Sequence, residues 1–269
     1  MLGKRILVLI FLIPICVGFI ALGGWYFAAF MAVVLAIAAW EWGNIFKQGN
    51  NHPSTIVLIL GVVALVISRM FSIPHLVEGL LVALIFLATL VHLIQYEKGC
   101  DLAATDFMIT IGGIVYLGWL GGHFIMLREL PNGLWWMLLA IPAIWLADAG
   151  AFLIGRKWGK HKLSSRASPN KSWEGFIAGI ISAALLTPLI AYLWSLRNPD
   201  ITMLQGLIIG LVVSILAPLG DLGESMIKRQ FHMKDSSHLL PGHGGILDRI
   251  DSWLWAVPIA YYVILIFFV

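Results

Sequence analysis

The sequence predicts an all-α integral membrane protein, on three observations: its composition, its long apolar runs and the placement of its basic residues. Of 269 residues, 60% are hydrophobic and only 12% charged. Soluble domains average roughly 45–50% apolar and about 25% charged. Mean hydropathy is +0.93. Folding leaves a large share of any chain exposed, so a soluble domain of this size could not hide that much apolar surface. A soluble enzyme, a disordered tail and a collagen-like rod are excluded.

A bilayer-crossing helix needs about 20 mostly apolar residues. On that scale nine spans are predicted, at 5–22, 26–46, 54–72, 75–95, 107–127, 133–155, 174–195, 203–229 and 250–268. Lys4-Arg5 ahead of the first run resembles a signal peptide. No small-residue cleavage pattern closes it and further spans follow at once, so it is read as a retained helix. The third and fourth spans meet at the weakest joint, where Arg69 and Pro74 interrupt the apolar run. Gly118/Gly122, Gly175/Gly179 and Gly206/Gly210 are small-xxx-small pairs that permit close helix packing, within a protomer or between two. Trp25, Trp135, Trp136, Trp253 and Trp255 fall near span ends, as an interfacial belt does. Five spans occupy 1–130; four occupy 131–269, with polar loops at 156–173 and 230–249. Cys16 and Cys100 match no disulfide framework or metal spacing.

Nine spans put the N-terminus and the loops after spans 2, 4, 6 and 8 on one side. That side carries all of the 17 lysines and arginines except Arg69, Arg128 and Arg197. The positive-inside bias therefore predicts a cytoplasmic N-terminus. The net charge of +3 fits anionic lipid headgroups better than nucleic acid.

Charges inside spans are costly and mark function by default. Asp148 lies in span 6, Asp221 and Glu224 in span 8, and Glu41 in span 2. Glu174 opens span 7, and Asp248 and Asp251 open span 9. All of these acids converge on the cytoplasmic rim of the bundle. Asp221, Glu224, Ser225 and Lys228 are spaced i, i+3, i+4 and i+7, one face of an α-helix that ends in Lys228-Arg229. The bland alternative is an internal ion-pair network with snorkelling cations. Asp248 and Asp251 also suit helix capping. Glu41 ranks last among these acids.

The loop from Arg156 to Lys171 is basic and lacks acids, which suits either a lipid-headgroup anchor or phosphate capture. The run Pro241-Gly242-His243-Gly244-Gly245 leads directly into a helix start, where glycine lets backbone N–H groups approach an anion. His243 alone more often signals a structural hydrogen bond than a catalyst. Clustered acids attract a divalent cation, and clustered cations attract phosphates. Mg²⁺ typically combines one or two carboxylates with substrate phosphates and water. The residues therefore point to Mg²⁺-dependent phosphoryl-type transfer to a membrane lipid at headgroup level.

The segment Ser225-Met226-Ile227-Lys228-Arg229, Lys234-Asp235 and Leu240 through Asp251 resembles the signature of the phosphatidate cytidylyltransferases (CDP-diacylglycerol synthases). Asp221-Leu222-Gly223-Glu224, Ser168-Pro169-Asn170-Lys171-Ser172-Trp173-Glu174-Gly175 and Ala147-Asp148-Ala149-Gly150 are also similar to that family's patterns. Together they cover about 140–255. The resemblance implies transfer of a cytidylyl group from CTP to phosphatidate, giving CDP-diacylglycerol and pyrophosphate in a bacterial-type inner membrane. It implies a metal centre using Asp221 and Asp248, with Asp148 and Glu224 as supporting acids, and Mg²⁺ accompanied or not by a monovalent cation such as K⁺. It further implies Lys171, Lys228 and Arg229 as catalytic phosphate holders, and Asn170, Ser225, His243, Gly244, Gly245 and Arg249 as substrate contacts. The partners expected are CTP, phosphatidate and membrane phospholipid, with a homodimer left open. The rival readings are a CTP-dependent polyprenol- or phytol-type lipid kinase and, further off, a cation-coupled transporter.

Overall fold

In a computed structural model the chain is described at residues 2–240, 242 and 244–269, with side chains from residue 12 onward. The helices of the first half are α1 (Leu2–Leu22), α2 (Gly24–Lys47), α3 (Thr55–Ser68), α4 (Leu76–Glu97), α5 (Ala103–Gly113) and α6 (Leu120–Glu129). A π-helical turn, Ile114–Trp119, joins α5 to α6. In the second half α7 (Gly133–Trp158) leads through strands β1 (Lys162–Ser164) and β2 (Ser168–Ser172) into α8 (Trp173–Ser195). Then come α9 (Met203–Leu216), α10 (Pro218–Gln230), α11 (Leu247–Ile250) and α12 (Trp253–Phe267).

Among the described residues, seven helices are long and apolar enough to cross a membrane. They stand at expected spans 2 and 4 to 9, and the protein is a multi-pass membrane protein. At expected span 1 the described side chains form the shorter apolar helix Leu12–Leu22. At expected span 3 the apolar helix is shorter than predicted. The helix there has 14 residues, about 21 Å at 1.5 Å per residue, short of a hydrocarbon core of about 30 Å. It stops at Ser68, before Arg69 and the turn that leads to Pro74. Expected span 8 is broken at Ala217, because Pro218 lacks the N–H that a continuing helix requires.

The chain forms two compact units: Met1–Met126 with Gln230–Ile250, and Leu127–Arg229 with Asp251–Val269. The segment 230–250 therefore groups with the N-terminal helices. In that first unit α2 supplies a fully buried face of Ala28, Leu35, Ala38 and Ala39. A Cβ on Gly118 would stand 3.1 Å from the Val62 Cα, so α3 crosses the π-helical turn almost backbone to backbone. Trp42 donates from Nε1 to the Ile109 carbonyl at 3.2 Å, where the helix changes register. Asp106 is fully buried. It accepts from the His52 N–H at 2.8 Å and from Asn51 Nδ2 at 3.1 Å. That carboxylate ties down the connection between α2 and α3.

The second unit is built on small residues. Along α8, Gly175, Gly179, Ala183, Thr187 and Ala191 are buried. A Cβ on Gly179 would stand 2.7 Å from the Ala147 carbonyl oxygen. On another face of the same helix Ile177, Ile181, Leu185, Leu189 and Leu193 are each more than half exposed. A helix with its small residues inward and its large aliphatics outward is patterned for lipid, where close van der Waals packing holds helices together. Gly206 and Gly210 pack likewise against Thr187 and Ala183. The three glycine pairs thus serve contacts inside the chain.

Candidate active site

The polar face predicted for span 8 is present on α10. Ser225 Oγ donates to Asp221 Oδ1 at 3.1 Å. One turn on, Lys228 Nζ lies 3.2 Å from Glu224 Oε1. Glu224 is 1% exposed and Lys228 7%, so this pair is desolvated, and removing either partner would strand a buried charge. Arg229 lies at the exposed end of the helix, its Nε donating to the Ala167 carbonyl at 3.4 Å.

What sequence spacing did not reveal is the partner of Asp221. Lys171 Nζ forms an ion pair with Asp221 Oδ2. It is delivered by an antiparallel hairpin within the basic loop, pairing Lys162 with Ser172 and Ser164 with Ser168. Pairing continues through the Trp173 N–H, which donates to the His161 carbonyl at 2.9 Å. Ser172 then caps α8, its Oγ accepting the Gly175 N–H at 3.2 Å. Glu174 closes the turn by accepting the Lys160 and His161 N–H groups and the His161 ring. Each of these fixes the hairpin against the start of α8, and so fixes Lys171.

Asp148 on α7 faces Lys171 and Asp221. Asp251 is surrounded by Asp221, Glu224 and Lys228 and accepts the Ser252 N–H at 2.6 Å. The second unit therefore gathers Asp148, Asp221, Glu224 and Asp251 around Lys171 and Lys228. The capping reading for Asp251 is only local, because Ser252 occupies the cap of α12 without a side-chain cap bond. A cavity of about 610 Å³ opens beside this cluster, a size suited to a small-molecule ligand. Asp148, Asn170, Lys171, Arg156, Lys162 and Ser168 give it polar walls, and Phe152 and Phe176 apolar ones. Arg156, Lys162 and Ser168 all sit in the basic loop flagged from the sequence, but none of them was given a role of its own.

The cluster suits a hard divalent cation in donor chemistry. Its acids offer only carboxylate oxygens, and Mg²⁺ takes few protein ligands when substrate phosphates supply the rest. Among the described residues no three His, Cys, Asp or Glu side chains stand at metal-ligand spacing. An ion held there would complete its shell with water and substrate phosphate oxygens.

In the first unit Asp248 belongs to a separate network. Its Oδ2 accepts the Gly245 N–H at 2.7 Å, the Ser236 N–H at 2.9 Å and Ser236 Oγ at 3.0 Å. Gly244 holds a positive φ of 81°, and a Cβ there would run into the Asp248 carboxylate. The glycines thus let the backbone fold around Asp248. Arg249 is exposed on α11. His243 and Pro241 lie outside the described residues. Glu41, ranked last from sequence, is fully buried in this network.

The model of the cytidylyltransferase family matches residues 3–267 of the chain. A phosphatidate cytidylyltransferase of Pseudomonas aeruginosa is 36% identical over 266 residues, covering 96% of this chain and 95% of that protein. One from Synechocystis is 32% identical over 98% of this chain and 96% of its own length. One from Bacillus subtilis is 42% identical over 59% of this chain and 58% of its own.

Proposed function

The chain belongs to the cytidylyltransferase family and is a nucleotidyltransferase, and we propose that it works at the cytoplasmic face of a bacterial-type inner membrane. The reaction is cytidylyl transfer from CTP to phosphatidate, giving CDP-diacylglycerol and pyrophosphate. The observation that carries the siting of this chemistry is the cavity walled by Asp148, Asn170 and Lys171 beside Asp221. With the shorter apolar helices α1 and α3 counted as crossings beside the seven long ones, the spread of basic residues favours nine with a cytoplasmic N-terminus, and the site belongs on that rim.

The nucleophile needs no dedicated base. A phosphate monoester has a second pKa near 6, so phosphatidate is mostly dianionic at pH 7. One of its oxygens attacks the α-phosphorus of CTP. The bond between the α-phosphorus and the bridging oxygen breaks, and its electron pair leaves on pyrophosphate. Catalysis then reduces to alignment and to neutralising the charge on the leaving group. Lys171 is the cavity cation paired with Asp221 and holds phosphate oxygens, with Asn170 as a neutral donor. Arg229 and the exposed basic residues of the hairpin draw the nucleotide in. Lys228 balances Glu224 and Asp251, keeping the acid cluster from repelling the triphosphate. Asp221, with Asp148 beside it, would hold Mg²⁺, and the bound ion would supply charge neutralisation on the phosphates. Asp248 would share the metal role, as its place in the family-like signature implies.

Supplying CTP, phosphatidate and Mg²⁺ to the purified protein, with pyrophosphate and CDP assayed separately, tests the reaction. Pyrophosphate in step with lipid product is expected. CDP in its place would assign a lipid kinase.

A further inference from the structure

Glu41 is a fully buried acid near the C-terminal end of the apolar helix α2, and its hydrogen-bond partners among the described residues are donors. Oε1 accepts from Ser237 Oγ at 2.5 Å and from the Ile246 N–H at 3.0 Å. Oε2 accepts from the Leu247 N–H at 2.7 Å and lies 3.2 Å from Ser236 Oγ. These donors stand 195 to 206 residues away in sequence. A hydroxyl has one proton, and Ser236 Oγ lies nearer Asp248 Oδ2, at 3.0 Å. Ser236 Oγ thus stands between the two carboxylates, while Ser237 and two backbone amides serve Glu41. A Cβ on Gly245 would overlap both Ser236 Oγ and the Glu41 carboxylate, so the segment can close on this acid only with glycine there.

We propose that Glu41 is a positioning residue for cytidylyl transfer: an acceptor-only group that anchors Ser236, Ser237, Ile246 and Leu247 and so sets the backbone from which Asp248 projects. The functional half of this rests on the role proposed above for Asp248. Only a carboxylate meets the requirement, because all of its surrounding polar atoms can donate. An amide in its place turns an NH₂ group toward a backbone N–H whichever way it is flipped. That leaves a buried donor without an acceptor.

The test uses the full chain in lipid nanodiscs, with turnover, KM for CTP and amide hydrogen exchange measured together. Glu41→Gln is expected to lower kcat about 10-fold or more, with KM for CTP within about 2-fold, and to speed exchange at residues 245–247. Exchange across α7 should not change. Glu41→Asp keeps the charge and should recover part of both effects. Normal turnover with normal exchange in Glu41→Gln overturns the proposal. Faster exchange with normal turnover overturns its functional half by showing that Asp248 need not be held, while the reaction itself stands. Lost turnover with unchanged exchange overturns the anchoring. If Glu41→Gln does not fold, Ser237→Ala tests the anchor from the loop side. It should speed exchange at residues 245–247, and unchanged exchange would overturn the proposal.

Discussion

Replacing Lys171 by alanine removes the cavity cation that pairs with Asp221, and the structure sets the size of two separable effects. On stability the loss is small. Lys171 and Asp221 are 29% and 30% exposed, so their attraction is partly screened and contributes at most about 1 kcal/mol. On activity the loss is larger. A charged hydrogen bond to phosphate contributes about 1.5–3 kcal/mol, which converts to roughly 10- to 100-fold in rate at 1.4 kcal/mol per decade. Lys171→Ala should therefore lower kcat/KM for CTP by about 10- to 100-fold while the melting temperature moves by only a few degrees. Lys162 lines the same cavity but lacks the fixed partner, so Lys162→Ala should cost about 3-fold. Lys160, whose N–H is bonded to Glu174, does not line the cavity, and its loss should cost less still. Initial rates over a CTP series, with a melting curve for each variant, make the comparison. Equal small losses at all three positions would refute the reasoning and leave the hairpin as a headgroup anchor.

Gly175→Ala should lower stability by about 1–3 kcal/mol in thermal unfolding, because its Cβ would stand 2.8 Å from the Ala151 carbonyl oxygen and helix backbones cannot yield cheaply. Gly223→Ala, on α10 with nothing within 4 Å, should raise stability by about 0.5–1 kcal/mol through helix propensity alone. Ser172→Ala deletes the α8 cap and should cost about 1 kcal/mol, with a smaller loss of turnover than Lys171→Ala.

Features set by one helical turn were legible in the sequence. The Asp221–Ser225 and Glu224–Lys228 contacts are both i, i+4, and the period alone predicted a shared face. So were the long apolar helices, because lipid demands length and hydropathy in one continuous stretch. The contact of Lys171 with Asp221 was not, since α8 and α9 lie between them in the chain and a hairpin delivers the lysine. That hairpin carries Pro169 and little apolar alternation, so nothing marked it as strand. Glu41 was visible as a charge in a span, but its donors come from the far end of the chain and half of them are backbone N–H groups, which no side-chain pattern records. The short α3 and the break at Pro218 were both signalled, by Arg69 and by the proline itself, and apolar composition outweighed them.

The claim at the centre is that α10 presents the carboxylate on which the chemistry depends. Asp221→Asn keeps the size of the side chain and an oxygen for Ser225, but removes the charge that balances Lys171 and would balance Mg²⁺. Lipid-product formation measured across a Mg²⁺ titration, with a melting curve on the same sample, isolates that charge. Turnover should fall by at least about 100-fold, roughly 3 kcal/mol of barrier, with thermal stability nearly unchanged. Near-normal turnover of Asp221→Asn at ordinary Mg²⁺ would contradict the account.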